Sequence, residues 1–349
     1  MAYSQPDGSC CAEFDQHQHR ISAQEVAQMM SRQRQELIGN ELSRIAGDEY
    51  MEDIIQHLRQ MEKETLPDAS LIDLQPEIDW VKRPYLVNFL IEAHAFFDLL
   101  PETLFLTMNL IDRYCTKRVV LEKYYQLVGC TALLIAAKYG DERIHIPKIR
   151  QLEDICRGLY DAGLFTHMER HILNTLDWVI GHPTVDFFTQ LLVLEEGHDQ
   201  VVTHMATYLC EIALYHRDFV STLPTVMAQS SLDLARVILD HPKAKNGEHW
   251  GLVENSTRIA LWRHCQNPSP TLARKYSTAG YSEVSQRLAR FITQQSAIIH
   301  QGPGPSSLMA TTIDNWRGDT YRTSQREHDL LHIYPTPPST PDINSWMRS

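Results

Sequence analysis

The chain has 349 residues, 43% of them hydrophobic, and a formal net charge of −12. That length and apolar content suffice for two domains of ordinary size. The acidic balance excludes the electrostatic footprint of a nucleic-acid binder and gives no attraction to an anionic membrane surface.

Residues 1 to about 40 are rich in Gln, Ser and His with little apolar periodicity, which predicts a mobile or loosely helical segment. From Tyr50 to Met61, the residues Ile54, Ile55, Leu58 and Met61 recur at helical spacing and predict an amphipathic helix ending before Pro67. Pro84 suits a first helical position, where its missing N–H is not needed, and the helix it opens is apolar nearly all round as far as Phe97. Another helix is expected from Pro101 to about Tyr114, and a third from about Lys123 to Tyr139. This third helix carries Cys130-Thr131-Ala132-Leu133-Leu134-Ile135-Ala136-Ala137, small and apolar on every face, and so belongs at a centre surrounded by others. Gly140 supplies its stop. Helices are then expected at about 147–159 and 164–178.

Pro183-Thr184 opens a second half, with helices expected at 184–195, 199–215, 224–239, 250–264 and 281–299. Few stretches alternate apolar and polar residues over strand length, so no sheet is expected. Ala228-Gln229-Ser230-Ser231-Leu232-Asp233-Leu234-Ala235 echoes the small-residue central helix of the first half and suggests a duplicated unit. From Gln301 onward Gly, Pro, Ser and Thr dominate, which predicts a disordered tail.

Seven cysteines form no C-x-x-C pair and an odd total, and read as free thiols in a reducing compartment. No apolar run has bilayer-spanning length, and the first residues carry no signal-peptide pattern. A soluble intracellular chain is therefore expected. His167 and His171 stand at i, i+4, but Glu169 is one place off the position a zinc protease needs for its base, so no metal site and no cofactor are expected. There is no G-x-x-x-x-G-K-[ST] loop, G-x-S-x-G elbow or G-x-G-x-x-G turn to anchor an enzyme reading.

One set of segments makes sense together: Lys82-Arg83-Pro84-Tyr85-Leu86-Val87-Asn88-Phe89, Leu110-Ile111-Asp112-Arg113-Tyr114, Ala136-Ala137-Lys138-Tyr139, and Met168-Glu169-Arg170-His171-Ile172-Leu173. This set resembles the helical box of the cyclins, most closely the fungal G1/S-type, B-type-related members. The similarity covers about 50 to 180 well and continues more weakly to about 300. It implies an all-α fold of two tandem five-helix boxes with an N-terminal helix and disordered tails. The expected boundaries are 1–48 for the N-terminal segment, 49–182 and 183–300 for the boxes, and 301–349 for the tail. It also implies a regulatory subunit, not itself an enzyme, that binds and activates a cyclin-dependent protein kinase in the nucleus and cytoplasm. A transcription-associated cyclin and a non-activating scaffold are the competing readings.

The resemblance assigns roles residue by residue. Lys138 and Glu169 match the Lys and Glu that grip the kinase, and Tyr50 and Ile54 fall in the N-terminal helix that also packs on it. Read as residues alone, Lys138 and Glu169 are equally ordinary surface charges. Arg83 and Asp112 match the family's buried ion pair; as residues, each is a solvated charge or a paired one within a mostly apolar helix. Lys82, Tyr85, Leu86, Phe89, Glu92 and Gln126 occupy the substrate-docking patch or simply pack the box. The family's Met, Ile and Trp are replaced there by Lys82, Tyr85 and Phe89, which makes the patch more polar and puts docking of Arg-x-Leu motifs in question.

Two segments outside the boxes resemble degradation signals. Arg34-Gln35-Glu36-Leu37 satisfies only the Arg-x-x-Leu minimum of a destruction box, a match that arises often by chance, and reads foremost as incidental. Thr336-Pro337 and Thr340-Pro341 are proline-directed phosphorylation sites four residues apart, resembling a phosphodegron read by an Arg-rich pocket of a ubiquitin ligase. The other reading is a Pro-rich end with incidental Thr-Pro pairs.

Overall fold

The computed structural model describes residues 23–196, 199–241 and 255–300. Among them there are helices and turns and no strand. The first helix, α1, spans Ala23–Glu64, far longer than the 50–61 helix expected. The residues from Glu25 to Ala46 are exposed, so no buried stripe was there to mark the helix in the sequence. Straight-chain helix formers and surface pairs sustain it instead, with Arg44 bonded at 2.8 Å to both Glu41 and Asp48. The chain divides into two compact units after His57, within this helix.

In the second unit, a short turn of helix, α2 (Ala69–Ile72), precedes five helices: α3 (Arg83–Phe96), α4 (Pro101–Lys117), α5 (Glu122–Gly140), α6 (Ile149–Ile155) and α7 (Ala162–Thr175). Helix α5 packs against α3, α4 and α7. Leu127, Val128, Cys130, Ala132, Leu133, Ala136 and Ala137 on it are fully buried, the outcome its all-round apolar sequence demands. Its small residues let neighbours approach closely: a Cβ on Gly129 would lie 2.7 Å from Leu86 Cδ1. Leu86 is thus a core residue at 5% exposure, pinned between α3 and α5.

Five more helices repeat the pattern: α8 (Val185–Glu196), α9 (Gln200–Ala213), α10 (Pro224–Leu239), α11 (Asn255–His264) and α12 (Pro270–Lys275), followed by α13 (Val284–His300). Helix α10 takes the central place among α8, α9, α11 and α13, with Ala228, Ser230, Ser231, Leu234 and Ala235 fully buried. The two halves meet where α4 packs on α8 and α3 on α12. The end of α1 is fastened at this junction. Glu62, 2% exposed, accepts the Thr225 N–H at 3.0 Å and the Thr225 hydroxyl at 2.9 Å, and so caps the start of α10. The short helices α2 and α12 lie below the length that periodicity reveals.

Candidate protein-binding surface

Lys138 stands in the last turn of α5, where the helix dipole favours a cation, and is 46% exposed. Glu169 follows the buried Met168 on α7 and is 17% exposed. The packing of α5 on α7 brings them together, with Lys138 Nζ 2.5 Å from Glu169 Oε1. Large apolar side chains in the segments beside this pair are left in solvent: Tyr139 is 59% exposed, Trp178 63% and Val179 49%. Asp177 and Trp178 adopt left-handed φ of 54° and 61°, uncommon for residues with a Cβ and energetically costly. This turn ends α7 and holds the indole outward, with Nε1 donating to Asn174 Oδ1 at 3.0 Å. The Tyr139 hydroxyl lies against Gly181, where a Cβ would come within 2.8 Å of it. An ion pair at the surface, with large apolar side chains left in solvent in the segments that follow it in the chain, suits a surface that binds a protein. The sequence assigns a binding role to the two charges but none to Tyr139, in the last turn of α5, or to Trp178, just past the end of α7.

Arg83 and Asp112 meet in the interior. Arg83 Nη1 and Nη2 donate to Asp112 Oδ1 and Oδ2 at 2.5 and 2.8 Å, and Nε donates to the Leu214 carbonyl at 2.7 Å. Burial acts to lower the Arg83 pKa, but the charge and hydrogen bonds of Asp112 outweigh it and leave it raised. The Leu214 contact, 131 residues away in sequence, makes the pair a tie between the two halves.

The docking-patch residues divide. Tyr85 is 74% exposed and Leu86 is buried, while Phe89 and Gln126 are half-buried. Lys82 is held by Glu122 at 2.9 Å and the Glu77 carbonyl at 2.6 Å, so its charge is engaged within the box. Glu92 sits 3.3 Å from Arg274 of the second half. Tyr50 and Ile54, in the first unit, are 50% and 43% exposed and share one face of α1 at i, i+4 spacing. Arg34 and Leu37 also lie on α1, both exposed. His171 is engaged by the Tyr114 hydroxyl at 2.8 Å. Thr336 and Thr340 lie outside the described residues.

Comparison with known proteins gives a family model described as "Cyclin, N-terminal domain" over residues 53–181 and one described as "Cyclin, C-terminal domain" over 183–258. The G1/S-specific cyclin CCN1 of Candida albicans (strain WO-1) is 39% identical over 261 residues, 68% of this chain and 37% of that protein. The G2/mitotic-specific cyclin-B of Emericella nidulans is 36% identical over 192 residues, 55% of this chain and 40% of that protein. The chain thus spans about two fifths of the length of these relatives. Among solved structures, a viral cyclin from herpesvirus saimiri superposes with a TM-score of 0.53 at 17% identity, covering 60% of this chain and 96% of that one, a likeness of fold.

Proposed function

Because the chain belongs to the cyclin family, we propose that it is the regulatory subunit of a cyclin-dependent protein kinase, acting in cell-cycle progression at G1/S. The observation that carries this reading is the Lys138–Glu169 pair at 2.5 Å, with Tyr139 directly after the lysine and Trp178 and Val179 after α7 left exposed. The lysine and glutamate present a donor and an acceptor to the backbone and side chains of a partner helix, and the aromatics supply apolar contact area. Docked on the kinase's mobile helix, this surface favours the state in which the kinase's own Lys–Glu pair closes and its activation loop opens. The cyclin then acts only through tighter binding to the active state. The G1/S assignment draws on the likeness to the G1/S-specific cyclin of Candida.

We extend the proposal to the tail: the bound kinase phosphorylates Thr336 and Thr340, and a ubiquitin ligase reads the two phosphates. Such a regulator works where its substrates are, in the nucleus and cytoplasm; a fluorescent fusion absent from the nucleus at every cell-cycle stage contradicts this.

The test is activation. Purified full chain added to a purified, inactive cell-cycle kinase raises histone phosphorylation in proportion to complex formed. A complex without activity contradicts activation and leaves a scaffold. Activation confined to a transcriptional kinase contradicts the cell-cycle assignment.

A further inference from the structure

A cleft of about 430 Å³ opens where the end of α3, the segment after α5, α9 and α12 come together. Four carboxylates line it, Asp98, Asp141, Glu142 and Glu211, against Lys275 and the histidines His94 and His145, the latter with Nδ1 3.9 Å from Asp98 Oδ2. The four differ in what they have left to offer. Asp141 is committed to the start of α4, accepting the Leu100 N–H at 2.7 Å and the Thr103 hydroxyl at 2.5 Å. Asp98 and Glu142 are exposed. Glu211 is 1% exposed; its Oε1 accepts from Lys275 Nζ at 2.5 Å and from the Tyr276 hydroxyl at 2.7 Å. Its Oε2 has no hydrogen-bond partner. A buried carboxylate oxygen without a donor is costly and rare, and it calls for one. His94 does not offset the negative charge: burial lowers its pKa, and its Nε2 is taken up by the Leu100 carbonyl at 2.7 Å.

We propose that this cleft binds the arginine or lysine side chain of a linear peptide, with Glu211 as the principal acceptor and Asp98 and Glu142 drawing the cation in. An alkyl stem with a terminal group that only donates complements a concave, carboxylate-lined wall, and guanidinium offers five donors in a fixed fork. The inference stands apart from the kinase reading, because the site is complete within this chain.

The experiment titrates the isotope-labelled full chain with an Ala-Gly-Arg-Gly-Ala peptide and follows the amide signals of Leu100 and Tyr276 by nuclear magnetic resonance. The lysine counterpart, the uncharged citrulline counterpart and spermidine are run in parallel. The arginine and lysine peptides shift these signals, and the citrulline peptide binds about tenfold more weakly or worse. Glu211→Gln weakens the arginine peptide by a similar factor. Asp98→Asn with Glu142→Gln, confined to exposed side chains and so harmless to the fold, weakens it and flattens its salt dependence. Absent shifts, equal binding of the citrulline peptide, or binding unchanged in both variants overturns the proposal. Spermidine binding as tightly as the peptides overturns the peptide assignment in favour of a polyamine site.

Discussion

Arg83 and Asp112 face each other side by side in the interior, joined by hydrogen bonds of 2.5 and 2.8 Å, with side chains only 4% and 7% exposed. Two charges so placed are tolerable only as a pair. Arg83→Ala leaves Asp112 buried without its counter-charge and the Leu214 carbonyl without its donor, so the fold loses about 3–5 kcal/mol. Because Leu214 belongs to the second half, both halves melt earlier in one transition. An unchanged melting temperature contradicts this account.

Glu62 and Thr225 make a second long-range joint. Glu62→Ala removes the acceptor for the Thr225 N–H and hydroxyl at the start of α10 and costs about 1–3 kcal/mol in denaturant unfolding. Glu62→Gln keeps one acceptor oxygen and recovers part of the loss. Equal stability of Glu62→Ala and the parent would show that the contact contributes nothing.

His182 makes the fold acid-sensitive. Burial, aided by the Arg113 charge, depresses its pKa to about 3, while an unfolded histidine titrates near 6.5. Between those values the unfolded chain binds a proton that the folded chain does not. Stability therefore falls as pH drops from about 6.5 towards 3, by up to about 1.4 kcal/mol per pH unit from this residue. His182→Gln removes this contribution, so urea midpoints at pH 7, 6 and 5 decline less steeply in the variant. Parallel declines would rule out His182 as the source.

The proposed tail signal predicts a lifetime effect without a folding effect. Thr336→Ala with Thr340→Ala lengthens the chain's half-life in dividing cells by several fold, because each phosphate lost removes about −1.5 to −2 of charge from the segment to be recognised. A pulse-chase with no lengthening rejects the degron.

The centre of each half was legible because α5 and α10 are built from small and apolar residues on all sides, a pattern that fits only a surrounded helix. The pairing of Lys138 with Glu169 was reachable only through family spacing, whereas Arg83 and Asp112 each stand in a mostly apolar helix, where an unpaired charge is costly, and the family spacing named them as partners. Other features escaped for physical reasons. Most of α1 is exposed and so lacks the periodicity that marks a helix. Leu86 turns inward because Gly129 opens a space on another helix. Leu214 contributes a carbonyl, which every residue has. The left-handed turn at Asp177 and Trp178 uses no glycine to announce it.

The Lys138–Glu169 pair adds little to the fold, since a surface pair with a half-exposed lysine is worth about 0–1 kcal/mol. Its removal therefore isolates a binding role, and calorimetric titration of the full chain into purified cell-cycle kinase is the most direct measurement. Lys138→Ala with Glu169→Ala should melt like the parent yet bind the kinase at least about thirtyfold more weakly, the effect of truncating charges desolvated in an interface. Equal affinity in the parent and the double variant would contradict the claim that this surface holds the kinase.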